Sequence, residues 1–68
     1  MLNVNSLKAA MVAKGLTQKD VAEELDISSR TFSSRLKKGV FGSDEIEKLI
    51  ILLDISDPIS IFFAERVT

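Results

Sequence analysis

Thr17 to Gly39, TQKDVAEELDISSRTFSSRLKKG, is the stretch that decides the fold. It contains two helix starts of one design. The Thr17 hydroxyl can accept from a free backbone N–H of the helix that follows, and Asp20, three residues on, can reach back to the cap, an Asp version of the capping box. Leu16 before the cap and Val21 at the fourth helical position form a hydrophobic staple that fixes the entry of the chain. Ser28 repeats the arrangement, with Ile27 before it and Phe32 at the staple position. A second helix is therefore predicted from Ser29 toward Lys38, with Gly39 as its left-handed stop. Val21, Ala22 and Leu25 share one helical face, and Phe32 and Leu36 share another, so each helix buries a single stripe. Two short helices crossing at a turn of about three or four residues form the helix-turn-helix plan.

Placing Phe32 and Leu36 inward turns Arg30, Ser34, Lys37 and Lys38 outward, with Ser29 at the N-terminal tip and Ser33 on the flank. A face meant only for water would use Glu, Lys or Ala, because serine is poor helix material. This one spends four serines in seven residues and carries no carboxylate between Asp26 and Asp44. Short side chains let a helix lie close to a duplex, so the face reads as a DNA contact. Arg30 is the candidate base reader, since a guanidinium can grip guanine O6 and N7 together, whereas Ser discriminates less. Gln18, Ser28, Thr31 and Arg35 are placed for phosphates, and Lys37 and Lys38 reach the backbone from the far end of the helix. Ser28 is first of all a helix cap. Lys8 reads first as a solvated surface charge, with a contact to the DNA backbone as the lesser alternative.

The stretch resembles the helix-turn-helix of the phage repressor and Cro family, and the ending DPISIFFAERVT looks like the tails of small Cro-like regulators of Gram-positive prophages. The resemblance implies an all-α, five-helix, lambda-repressor-like domain. It also implies that Gln18 touches a phosphate, that Ala22 is the small residue at the helix crossing, and that Ser29, Arg30 and Ser34 occupy base-reading positions. Asp26 departs from the family, which usually has Gly in the turn. Asp tolerates a positive φ, so the turn is kept, and its carboxylate is expected to point away from the duplex.

Composition narrows the function classes. Sixty-eight residues, 46% of them hydrophobic, predict one folded domain over residues 1–68 with a core that is marginal for its size. With neither Cys nor His, thiolate metal sites and most nucleophile–base pairs are excluded, so no enzyme activity and no cofactor are expected. No run approaches the roughly eighteen apolar residues of a membrane span, and MLNVNSLKAA lacks the basic-then-apolar order of a secretory signal; a cytoplasmic location is expected. The net charge of −1 argues at first against nucleic acid. Its distribution does not: residues 1–40 carry seven Lys or Arg against four Asp or Glu, and residues 41–68 carry two against six. Docking depends on the local field.

Around the central pair, Leu2 and Val4 are expected to be an extended lead-in, with Asn5 or Ser6 capping a first helix through about Lys14. Leu7, Ala10 and Met11 face inward on it, and Gly15 stops it. Phe41 is expected to fold back onto the core from a loop over Val40 to Ser43. Ser43 then caps a fourth helix with Asp44, Glu45 and Glu47 in or near its first turn, the favourable sign there. Its inward stripe is Ile46, Leu49, Ile50 and Leu53, which leaves Ile51 and Leu52 to one side. Asp57 and Pro58 start a last helical turn as cap and first helical residue. Ile51, Leu52, Ile59, Phe62 and Phe63 are interface candidates, weighed against a fifth helix that simply completes the core.

The expected function is that of a sequence-specific DNA-binding transcriptional regulator, a Cro-like member of a prophage switch acting on double-stranded operator DNA, with monomer and homodimer both open as its assembly. Two alternatives stand beside it. One is an antirepressor that binds a phage repressor protein; the other is the DNA-binding antitoxin of a toxin–antitoxin pair.

Overall fold

Each helix of this chain starts at a local backbone cap and most end on a left-handed residue, and between these signals the apolar residues recur at helical spacing. In the computed structural model, which describes residues 2–63, α1 (Val4–Ala13), α2 (Gln18–Glu24), α3 (Ser29–Lys38), α4 (Ser43–Leu52) and α5 (Pro58–Phe62) follow one another. No strand occurs among the described residues, and the architecture is all-helical. The tail motif DPISIFFAERVT is described only as far as Phe63, and its last five residues lie outside the described range.

The starts of α2 and α3 are as expected. Thr17 Oγ1 accepts from the Asp20 N–H at 3.1 Å while Asp20 Oδ2 accepts from the Thr17 N–H at 2.9 Å. The Thr17 backbone and hydroxyl donors, in that order, hold the Asp20 carboxyl below the usual Asp range. Ser28 Oγ accepts from the Thr31 N–H at 3.0 Å. The turn between the helices closes by two backbone bonds, Asp26 N–H to Glu23 O and Ile27 N–H to Ala22 O, each 3.0 Å. This is a Schellman pattern whose left-handed position is filled by Asp26 at φ 59° instead of glycine. Gly15 at φ 69° and Asp54 at φ 53° end α1 and α4 by the same pair of bonds, and Gly39 at φ 71° ends α3.

Two helix starts differ from expectation. Asn3, not Asn5 or Ser6, caps α1: its Oδ1 accepts from the Ser6 N–H at 3.1 Å. Val4 is thus helical, and Leu2 is a core residue at 7% exposure, not part of a free lead-in. The cause is tertiary. The Asn3 N–H donates to Ile61 O at 2.6 Å, tying the beginning of the chain to α5. At α4 the cap is Gly42, with Ser43 the first helical residue; Glu45 Oε1 accepts from the Gly42 N–H at 2.9 Å. The α5 start is as predicted, with Asp57 accepting from the Ser60 N–H at 3.3 Å and Pro58 at the first helical position.

The core joins Leu2, Leu7, Met11, Val21, Ala22, Leu25, Phe32, Leu36, Phe41, Leu49, Leu53 and Phe62. Phe32 is wholly buried and its ring meets that of Phe41 at 5.6 Å and 52°, so the loop residue does fold back onto α3. Chief among the helix pairs, α2 packs on α3, and α1 packs on α5. Phe62, proposed from the sequence as an interface residue, is 6% exposed and belongs to this core. A five-residue helix pressed onto α1 has one inward side, and Phe62 is on it.

Candidate nucleic-acid interface

α3 is ten residues long and amphipathic, so one side is taken by the core and the other is left to solvent. Phe32 and Leu36 occupy the inner side. Arg30, Ser33, Ser34, Lys37 and Lys38 are exposed on the outer one. At about 1.5 Å per residue α3 spans about 15 Å, and its basic last turn, Arg35, Lys37 and Lys38, complements the negative end of the helix dipole.

The ridge formed by α3 has a hollow on either flank. One, of about 520 Å³, is lined by Arg30, Thr31, Ser34, Arg35, Lys38 and Val40. The other, of about 420 Å³, brings Gln18 from the first turn of α2 and Lys8 and Val4 from α1 beside Ser33, Leu36 and Lys37. Among the described residues no carboxylate lines either hollow. Eight of the ten residues proposed from sequence for DNA contact therefore gather in two basic, hydroxyl-rich depressions. Ser29 is exposed at the tip of α3 and stands outside both.

Three of the ten are already engaged within the protein. Ser28 Oγ, besides capping α3, donates to Thr31 Oγ1 at 2.9 Å, so the two hydroxyls placed for phosphates from sequence bond each other. Arg35 was read as a free phosphate ligand, and here its Nη1 sits 2.7 Å from Glu45 Oε1 across the α3–α4 corner. Its side chain remains 36% exposed, but its charge has an internal partner. The sequence reading also gave little weight to two residues. Lys8 joins the second hollow because it lies one turn beyond Val4 on α1, a spacing visible once α1 is known to begin at Val4. Val40, 66% exposed and next to the Gly39 stop, edges the first hollow.

The interface candidates do not form one patch. Ile51 is 75% exposed and, with Leu52, Glu24 and Lys48, lines a shallow hollow between α2 and α4. Phe63 is 42% exposed and borders an apolar cleft of about 170 Å³ with Leu2, Val40, Phe41, Ile46 and the buried Phe62. Ile59, 57% exposed on α5, belongs to neither.

No group of three or more His, Cys, Asp or Glu side chains placed to hold a metal ion occurs among the described residues, and no helix there is long and apolar enough to cross a membrane. Compared with protein-family models, curated proteins and solved structures, the chain matches none of them.

Proposed function

We propose that this chain is a sequence-specific DNA-binding transcriptional regulator with a lambda-repressor-like helix-turn-helix, formed by α2 and α3, acting on operator DNA in the cytoplasm without catalysis. The observation that carries the reading is the outer side of α3: a ridge of small hydroxyls with Arg30 near its start, flanked by two hollows lined by cations and, among the described residues, by no carboxylate. The B-DNA major groove is about 12 Å wide and admits one helix, with a phosphate backbone along each rim. In that geometry the ridge meets base edges, and each hollow faces one backbone. Gln18, Lys8 and Lys37 serve one strand, and Lys38 with its neighbours serves the other. Regulation follows from occupancy, since a protein seated on an operator excludes polymerase or a rival repressor. A prophage switch of the Cro kind is the setting this proposal favours.

The test is equilibrium binding of labelled duplexes as a function of salt, paired with selection from randomised duplexes. Among the described residues, Lys8, Arg30, Lys37 and Lys38 are the cations lining the two hollows besides the paired Arg35. If three or four of them neutralise phosphates, log K falls against log salt with a slope of about −2.7 to −3.6 per protomer. Absence of salt-dependent binding to every duplex at low salt overturns the reading. A second reading, a modulator that binds a repressor protein, rests on the exposed Ile51, Ile59 and Phe63. It gains if binding to DNA fails while the protein captures a repressor.

A further inference from the structure

The two hollows beside α3 are lined by five cations, Lys8, Arg30, Arg35, Lys37 and Lys38, and an internal ion pair withdraws one of them. Arg35 borders the same hollow as Arg30, Ser34 and Lys38. Its Nη1 nevertheless donates to Glu45 Oε1 at 2.7 Å, and that oxygen also accepts from the Gly42 N–H at 2.9 Å. The carboxylate is thereby fixed by the start of α4, and the Glu45 side chain is only 15% exposed. Arg35 Nε is covered from solvent without a hydrogen-bond partner among the described residues, so the guanidinium is tucked toward the α3–α4 corner. This differs in kind from the pair Lys14–Asp54, 3.8 Å apart with side chains 44% and 86% exposed, the sort of surface contact that contributes little.

We propose that Glu45 is a positioning residue that acts as an internal stand-in for a phosphate: it occupies Arg35 and thereby sets how many phosphates the α3 face engages. The inference rests on the DNA-binding reading. A carboxylate offers a guanidinium the same anionic oxygens as a phosphate, and one already locked in place costs nothing to bring up. Arg35 is spent on holding the end of α3 against α4. The outer face is left with fewer phosphate contacts, hence with weaker sequence-independent binding and a larger share of affinity resting on base contacts.

The experiment measures the salt slope of binding to one fixed duplex for wild type, Glu45→Gln, the double variant Glu45→Gln with Arg35→Gln, and Glu47→Gln. Glu47 is exposed, so its variant is a control for the same change in net charge. Gln at 45 can still accept from the Gly42 N–H while losing the charge that holds Arg35. Freeing Arg35 steepens the slope by about 0.9, so the affinity lost between 50 and 200 mM salt grows about 3.5-fold. The double variant returns to the wild-type slope, and Glu47→Gln keeps it. A double variant shallower than wild type by about 0.9 overturns the inference, since Arg35 then already serves a phosphate; so does a folded Glu45→Gln protein with an unchanged slope. If circular dichroism shows that Glu45→Gln does not fold, the double variant decides by the same criterion. Wild-type protein that binds no duplex overturns the DNA reading, and this inference with it, which is a different result from binding with the wrong slopes.

Discussion

Replacing Ala22 by Leu tests the junction on which both the fold and the site depend. Ala22 is 1% exposed on the buried side of α2, its carbonyl accepts the Ile27 N–H that closes the turn at 3.0 Å, and α2 packs chiefly on α3. Three added carbons have no route to solvent from there, so α3 must tilt or neighbouring side chains must leave their rotamers. Overpacking of this kind costs about 1–3 kcal/mol. At about 0.05–0.15 kcal/mol per residue a chain of 68 residues has about 3–10 kcal/mol in total, so the change removes a sizeable part of it. At about 4–8 °C per kcal/mol for a domain of this size, Tm falls by about 4–24 °C. Circular dichroism melts read the shift, with Ala9→Leu on the exposed side of α1 as control and expected to stay within about 0.5 kcal/mol of wild type. If Ala22→Leu melts with the control, α2 and α3 do not meet there, and the placement of Gln18 beside Ser33 and Lys37 loses its support.

Three further outcomes follow from the same geometry. Arg30→Ala costs about 1–3 kcal/mol of binding and relaxes preference at one position of the site, while Lys38→Ala weakens all sequences alike and makes the salt slope shallower by about 0.9; binding selections on randomised duplexes separate the two, and identical preferences for wild type and Arg30→Ala remove Arg30 as the reader. The Asp20 carboxyl has its pKa lowered by the Thr17 donors, so its stabilising effect is present above the ordinary Asp value of about 3.9 and is lost as pH falls through the folded value. The melting difference between wild type and Asp20→Asn should therefore narrow below about pH 4, and a gap that widens with acid contradicts the cap. Phe62→Glu, which buries a charge at a position 6% exposed, should unfold the domain, whereas Phe63→Glu, at 42% exposure, should keep its helical content; circular dichroism of the two proteins decides, and equal damage would place Phe63 in the core as well.

What could be read directly from the sequence was what local chemistry settles. The caps of α2 and α3 are bonds between residues three apart, and the stripes Val21–Ala22–Leu25 and Phe32–Leu36 follow from helical periodicity alone. The tetrapeptide Leu-Asp-Ile-Ser occurs twice, at 25–28 and 53–56, and both copies do the same work: a buried Leu ends the helix, Asp turns left-handed, and the Ile N–H returns to the helix at 3.0 Å. Asp26 was read as such a turn because the resemblance implies a Gly at that position and Asp tolerates a positive φ. Asp54 was not, although the repeat itself is a signal for it. The start of α1 was misplaced because Asn3, Asn5 and Ser6 all suit a cap. What selects Asn3 is the burial of Leu2 and a backbone bond to Ile61, a partner 58 positions away.

The site shows a sharper boundary between what periodicity reveals and what it hides. Helical spacing says which side chains leave the core, and for Arg30, Ser34, Lys37 and Lys38 that was enough. It does not say whether an outward cation is available. Arg35 and Glu45 are ten residues apart across a turn, and each had a sufficient local explanation, one as a phosphate ligand and the other as an acidic residue at a helix start. Only the α3–α4 corner, with Phe41 folded under it against Phe32, brings them to 2.7 Å. A count of Lys and Arg on a recognition face therefore overstates its grip on nucleic acid whenever a capping carboxylate from the next helix reaches back to one of them. The quantity that separates an exposed cation from an available one is the salt slope, because it counts phosphates engaged and ignores charges already paired.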